Sequence, residues 1–263
     1  MSAPVASVGP NPVEMPVVSF VLATFNEREN LPELLNRLRK ISLPAFELLV
    51  VDDGSTDGTR ELLEGEARSD ARLRLLWHQG KQTTLRAQCQ GIALARGQYL
   101  VVMDADLQHP PEVVPAMVSA LKDGASLVIG SRYAKGGSAG ARGGIRATIS
   151  RGAEITAKVF LSESRSVSDP VSGFFAFRRE VFRPLPPDWR GYKLLLFLLV
   201  MARGKRVTEV GFRFEPRAGG SSKVTQNSRF VRFFLTELIL ARRLERSIAL
   251  EARRSSASPS SAR

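Results

Sequence analysis

The first half of the chain alternates short apolar runs with amphipathic stretches. Residues 17–24 (VVSFVLAT), 48–51 (LLVV), 73–77 (LRLLW), 99–103 (YLVVM) and 127–130 (LVIG) are near-continuous apolar runs of strand length, the pattern of strands covered on both faces. Between them, residues 30–40, 57–68, 83–95 and 111–121 place apolar side chains at helical spacing. These segments open on Asn30, on Asp57 as an N-cap, on Thr83 or Thr84, and on Pro110-Pro111, residue types that start helices. Strict alternation of strand and helix predicts an α/β fold built on a doubly wound, mostly parallel sheet. Ligands of such sheets sit at the carboxyl ends of the strands, so chemistry is expected there.

The second half is less regular. A flexible basic loop at 136–144 (GGSAGARGG) precedes a helix over 145–161, where Ile145, Ile149, Ile155, Val159 and Phe160 interleave with Arg146, Arg151 and Lys158. A second apolar helix is predicted over 192–202, a hairpin over 206–216, and a last helix from 229 to about 254. That helix sets Phe230, Phe233, Phe234, Leu238, Leu244 and Ile248 among five arginines, 229, 232, 242, 243 and 246. It reads either as a core-packing helix with a polar outer face or as a basic amphipathic helix lying in a bilayer interface. The expected organisation is a disordered leader over 1–16, a globular domain over 17–225, the basic amphipathic helix over 226–254 and a disordered Ser-rich tail over 255–263.

Composition narrows the class. A chain of 263 residues, 43% hydrophobic, buries a core without help from disulfides or a structural metal. The lone Cys89 excludes a disulfide scaffold and a cysteine zinc site. The longest purely apolar run, 194–202, is far short of the ~20 residues that cross a bilayer. No basic segment followed by an apolar one marks a secretory signal at the N-terminus. The net charge of +12 is unevenly spread, with 12 Lys/Arg against 16 Asp/Glu in residues 1–130 and 26 against 10 beyond them. The basic half is suited to anions, and nucleic acid, anionic lipid or a phosphorylated substrate each satisfy that charge.

Three strand ends carry polar clusters: Ala23-Thr24-Phe25-Asn26-Glu27, the run from Asp52-Asp53 to Gly58, and Asp104-Ala105-Asp106-Leu107-Gln108-His109. In an extended chain Asp104 and Asp106, two residues apart, point to one side and repel unless a cation lies between them. Hard oxygen ligands suit Mg²⁺ or Mn²⁺, whose shell substrate phosphates complete, and the Gln108 amide continues the series. No Walker loop or dinucleotide fingerprint occurs, nor a nucleophile elbow, and His78 and His109 are the only histidines. His109 is read as shaping the turn into the following helix. A sugar-1-phosphate nucleotidyltransferase would want a Gly-rich, Arg-containing loop after the first strand, where this chain has Phe25-Asn26-Glu27-Arg28. A non-catalytic nucleic-acid or membrane binder would explain the basic half but not the acidic strand ends.

The segments ATFNERENLPELL, VVDDGSTDGT, DADLQHPPE, GSRY, DPVSGFFAFRREVF, GYKLLL and RAGGSSK resemble, in order and spacing, the polyprenol-phosphate sugar synthases of glycosyltransferase family 2, the dolichol-phosphate mannosyltransferases above all. The resemblance runs from about residue 17 to 223. It implies a GT-A fold and inverting transfer of a sugar, mannose foremost, from a nucleotide diphosphate-sugar such as GDP-mannose to a polyprenyl monophosphate, with Mg²⁺ or Mn²⁺ as cofactor. The implied setting is peripheral, on the cytoplasmic face of a membrane, with a small membrane-spanning partner subunit a further option and no nucleic acid involved. Another family 2 reaction, on a glycan or lipid hydroxyl, is the alternative.

Residue by residue, the resemblance makes Ala23, Phe25, Glu27, Val51, Asp53, Asp104 and Ala105 neighbours of the donor, with Arg217 and Lys223 holding its diphosphate. Asp104, Asp106 and Gln108 become the metal ligands. Arg132, Arg146 and Ser150 grip the acceptor phosphate, and Asp104, Asp106 and Arg132 form the catalytic set. Ala23 and Phe25 stand where the family has Pro and Tyr, residues 81–86 (KQTTLR) replace a Gly-rich turn, and Phe197 stands at the family's Glu. These departures bear on the donor more than on the reaction class.

Overall fold

The computed structural model describes residues 15–78, 80, 82–140, 144–189, 191–215 and 228–257, without the side chains of 144–148, 228–231 and 252–257. Its strands are β1 (Val18–Thr24), β2 (Phe46–Asp52), β3 (Leu73–Trp77), β4 (Tyr99–Asp104), β5 (Leu127–Ser131), β6 (Phe175–Arg178) and β7 (Val207–Gly211). They form one sheet in the order β3-β2-β1-β4-β6-β5-β7. The helices are α1 (Leu31–Arg39), α2 (Thr59–Ser69), α3 (Thr84–Leu94), α4 (Val114–Lys122), α5 (Gly144–Phe160), α6 (Leu194–Met201) and α7 (Ser228–Ala257).

Because side chains alternate along a strand, the sheet feeds two cores. Phe20, Leu22, Leu48, Val50, Val101 and Met103 face α1 and α4. Val21, Leu49, Leu100, Val102, Phe175 and Phe177 face α3, α6 and α7. At Gly91 of α3 an added Cβ would lie 2.5 Å from a Val21 methyl, so glycine sets how closely α3 lies on β1. The alternating elements thus form the expected mostly parallel α/β sheet of a GT-A fold. Among the described residues no helix is long and apolar enough to cross a membrane.

Four local expectations are corrected, and one strand was not anticipated. Among the described residues of the expected hairpin over 206–216, those up to 215, no hairpin forms: β7 pairs in parallel with β5, and Phe212 N–H continues onto the Ser131 carbonyl at 3.0 Å. Its close seat requires Gly211, where a Cβ would meet the Lys135 carbonyl at 2.2 Å. β6 enters antiparallel between β4 and β5 and makes the sheet mixed. Its four residues, FAFR, are too few to show a period of their own. Gly58, at φ 87°, rather than Asp57, is the residue before α2, but Asp57 Oδ1 still accepts from the Thr59 N–H at 3.1 Å and so does the capping from one position back. The segment after Pro110 begins as a 3₁₀ turn over Pro111–Val113 before α4. The last helix extends to Ala257, three residues past its expected end.

Candidate active site

The direction of the chain reverses at β1. From it the chain moves outward to β2 and β3, then crosses back to place β4 on β1's other side, which opens a crevice at the carboxyl end of the sheet. The strand register puts Val51, Ala23 and Asp104 in one row across that end. Three residues far apart in sequence and expected at the donor therefore stand side by side.

The loops above this row hold one another. Asn26, at φ 54°, gives its N–H to Ser55 Oγ at 2.7 Å and accepts from Thr56 N–H at 2.9 Å. The Glu27 carboxylate accepts from the Asn30 amide at 2.7 Å, which also orders the start of α1. Asp52 accepts from the N–H groups of Gly54 and Ser55, bending the β2 loop upward. Asp53 Oδ1 accepts from Gln82 N–H at 2.8 Å and lies 3.1 Å from His78 Nδ1. The chain around the replaced Gly-rich turn thus bears directly on Asp53. Phe25, the residue after β1, is half-buried.

Asp104 ends β4, and its carboxylate is 46% exposed. The extended geometry expected for Asp104 and Asp106 does not hold: the chain bends after Asp104, and Leu107 takes the left-handed region at φ 64°. This conformation costs a side-chain-bearing residue about 1–2 kcal/mol and is retained here by burial of Leu107. Asp106 is buried, and its Oδ1 accepts the Gln108 N–H at 3.2 Å. His109 Nδ1 accepts the Asp104 N–H at 3.1 Å, and its ring stacks on Phe174 and meets Phe212 and Phe214 edge-on. Burial lowers its pKa to about 4, so it is a neutral structural ring, as the sequence suggested. Gly173 lies close beneath: a Cβ there would come within 3.1 Å of the Asp104 carboxylate.

On the β5 side, Arg132 is 7% exposed and donates through Nε and Nη2 to the two oxygens of Asp169, at 2.7 and 2.6 Å. Its Nη1 reaches Ser150 Oγ at 3.3 Å, and Glu154 lies 3.6 Å away. Burial opposes the charge, but the hydrogen bonds and charge of Asp169 outweigh it and raise the Arg132 pKa. Asp169, fully buried, is held in turn by Glu209 of β7, which accepts its N–H at 3.1 Å. Lys193, just before α6, donates to the Val171 carbonyl at 2.8 Å, and burial lowers its pKa while Asp104 and Asp169 oppose that shift. Phe197, where the resemblance has Glu, packs edge-on to Trp189 in the core.

Most of the expected site residues thus line the carboxyl end of the sheet. The Arg146 side chain, Arg217 and Lys223 lie outside the described residues. In the sequence Asp169 stood between a functional residue and part of a tight turn with Ser172-Gly173, and Lys193 and Glu237 were given no role. A single lysine opening an otherwise wholly apolar helix, and acids on the core-facing side of α7, are the signals that could have found two of them.

Sequence comparison connects this geometry to known proteins. The chain is 40% identical over 208 residues to the dolichol-phosphate mannosyltransferase of Pyrococcus furiosus, covering 79% of this chain and 59% of that one. It is 35% identical over 237 residues to the polyprenol monophosphomannose synthase of Mycolicibacterium smegmatis, covering 86% and 88%. Its fold superposes on the glucosyl-3-phosphoglycerate synthase of Mycobacterium tuberculosis, solved with Mn²⁺, UDP-glucose and phosphoglyceric acid, with a TM-score of 0.66 at 22% identity over 86% of this chain and 80% of that one. Residues 19–185, from β1 past β6 and so including the Ala23, Val51 and Asp104 row and the Arg132–Asp169 pair, match the family description "Glycosyl transferase family 2", and the chain belongs to that family of glycosyltransferases.

Proposed function

We propose that this glycosyltransferase moves a sugar, mannose foremost, from a nucleotide diphosphate-sugar to a polyprenyl monophosphate at a membrane surface. One observation carries the lipid acceptor. α5, which bears Ser150 beside Arg132, turns an apolar face to solvent: Ile149, Ile155 and Val159 are 53%, 57% and 65% exposed. Its inner face is instead Ala153, Glu154 and Ala157. On α7, Phe233, Leu235 and Ile239 are also exposed, while Phe234, Leu238 and Ala241 pack into the core. Apolar faces flanked by Arg151, Arg232 and Arg243 suit an anionic bilayer. The named activities of the Pyrococcus and Mycolicibacterium relatives support the same acceptor class.

In this reading, Glu27 and Asp53 hold the nucleoside beside Ala23, Val51 and Phe25. Asp104, Asp106 and Gln108 would hold the divalent cation. Among the described residues no three His, Cys, Asp or Glu side chains cluster as a metal site of their own, so the fit rests on the chemistry of this donor set. Two carboxylates and an amide are hard oxygen donors, the kind through which Mg²⁺ or Mn²⁺ is held together with substrate phosphates. The bound metal would neutralise charge on the departing diphosphate. Arg132 and Ser150 orient the attacking phosphate, with Asp169 and Glu154 fixing their side chains. A phosphate monoester, with second pKa near 6, is largely dianionic at pH 7, so attack on the anomeric carbon needs orientation rather than proton removal.

A second reading, transfer to a hydroxyl, has its own support. Asp169 already holds Arg132 through two of its nitrogens, and the Asp104 carboxylate, 46% exposed, is an acid that a hydroxyl acceptor can use as a base. The glucosyl-3-phosphoglycerate synthase bound to phosphoglyceric acid illustrates a different acceptor on this fold.

Nucleotide binding tests the donor half of the proposal. GDP or UDP with Mn²⁺ should raise the melting temperature, a ligand at 100 times its Kd adding about 2.7 kcal/mol. Asp106→Ala should abolish the metal-dependent part of that rise and cut turnover by at least ~10²-fold. Turnover within threefold of wild type at saturating Mn²⁺ would remove Asp106 from the ligand set.

A further inference from the structure

Glu237 is the most deeply placed acid among the described side chains of α7, with no exposed surface. It reaches across to the chain just before α6. Its carboxylate accepts from Tyr192 N–H at 3.1 Å, from Lys193 N–H at 3.0 Å and from the Trp189 indole N–H at 3.3 Å. The backbone N–H groups at the start of a helix have no partner within it. Here a carboxylate on another helix, 44 residues away in sequence, supplies one. The approach depends on Gly191, where a Cβ would lie 2.2 Å from the Glu237 carboxyl carbon.

The residue so held is Lys193, whose ammonium extends to the Val171 carbonyl. Val171 lies two residues from Asp169, the partner of Arg132, and two from Gly173, which underlies Asp104. Asp104, Arg132 and Asp169 all act electrostatically on the ammonium. We infer that Glu237 is a positioning residue of the glycosyl-transfer site: by capping α6 from α7 it fixes Lys193 against the turn that carries Asp169, and so sets the charge beneath Asp104 and Arg132.

Burying a carboxylate is costly, and here three N–H groups that would otherwise lose this acceptor offset the cost. Burial pushes the Glu237 pKa up to about 7, against the pull of the three N–H donors. The inference needs only the family's reaction and stands for either acceptor.

The test uses Glu237→Gln, which keeps the shape but replaces one acceptor oxygen by a donor, and Gly191→Ala, which keeps the acid but blocks its seat. Both are studied in the full chain at pH 8, where the carboxyl is ionised. In protein labelled with ¹³C-lysine, the Lys193 side-chain resonance, assigned through Lys193→Met, should move in both variants while the other lysine resonances stay in place. With donor and acceptor, kcat should fall about 10- to 100-fold while the donor KM stays within about twofold. In a Lys193→Met background Glu237→Gln should have no further effect on kcat, because the two residues act as one unit. An unmoved Lys193 resonance in whichever variant folds would overturn the inference, as would additive losses in the double variant. If wild type transfers no sugar to any acceptor, the proposed function fails, and the lysine resonance alone then decides the role of Glu237.

Discussion

Arg132 and Asp169 illustrate how far a residue's role depends on partners distant in sequence. As a lone surface arginine Arg132 would be a free anion ligand, whereas buried against Asp169 it is a fixed donor with little remaining freedom. Asp169→Ala leaves a buried guanidinium without its partner, which typically costs about 3–5 kcal/mol. At roughly 2–4 °C per kcal/mol for a chain of this size, the melting temperature should drop by about 6–20 °C. Activity lost this way should not return with raised pH or added small bases, and such rescue would make Asp169 a general base and favour a hydroxyl acceptor.

Asp70 tests the electrostatics away from the site. It ties Arg39 of α1 to Arg72 before β3, and although burial opposes its charge, the Arg72 and Arg39 hydrogen bonds lower its pKa to about 2. A depressed carboxyl pKa stabilises the fold above the unfolded value of 3.8, and that stability is lost as pH falls through about 2. Asp70→Asn should therefore melt lower than wild type at pH 7, with the gap closing towards pH 2. An equal gap at both pH values would mean that the ion pairs contribute nothing. At this scale the sequence was legible where chemistry is local, as in DADLQ at a strand end. It was not legible for the turn at Leu107, whose left-handed backbone spoils the simple i, i+2 geometry. Nor was it for Asp169 or Glu237, whose partners lie 37 and 44 residues away.

Among the elements, α5 departs most from the usual rule that a helix's apolar side faces the core. Its periodicity was visible in the sequence, but which side faced inward was not, because periodicity fixes a face and only tertiary packing chooses its partner. Ile155→Glu with Val159→Glu should leave the melting temperature within about 4 °C of wild type, since exposed substitutions rarely cost more than about 0.5 kcal/mol each. On vesicles containing anionic lipid the same variant should bind at least tenfold more weakly, each fully buried apolar side chain being worth about 1.5–3 kcal/mol. Unchanged vesicle binding would take α5 out of the membrane contact. The strands from β1 to β5 were readable because each is a continuous apolar run. β6 is short and antiparallel, and β7 pairs with a strand 80 residues upstream, so neither announces its pairing locally.

The whole molecule divides its charge as it divides its tasks. The acidic first half sets Asp53, Asp104 and Asp106 at the carboxyl ends of β2 and β4, and the basic second half carries Arg132 and the arginine-flanked faces of α5 and α7. Binding to anionic vesicles should therefore weaken steeply between low and physiological salt, since exposed charges are screened over about 8–10 Å. Salt-independent binding would place the whole contact on the apolar residues. The most direct measurement of the central claim is the fate of the sugar. The protein is incubated with radiolabelled GDP-mannose, Mn²⁺ and a polyprenyl monophosphate, and the label is followed into organic solvent. The account predicts an organic-soluble, acid-labile mannosyl lipid that forms only with the phosphorylated prenol and is lost in Asp106→Ala. Label that stays in the aqueous phase on a hydroxyl-bearing acceptor, with none on the prenyl phosphate, would contradict it.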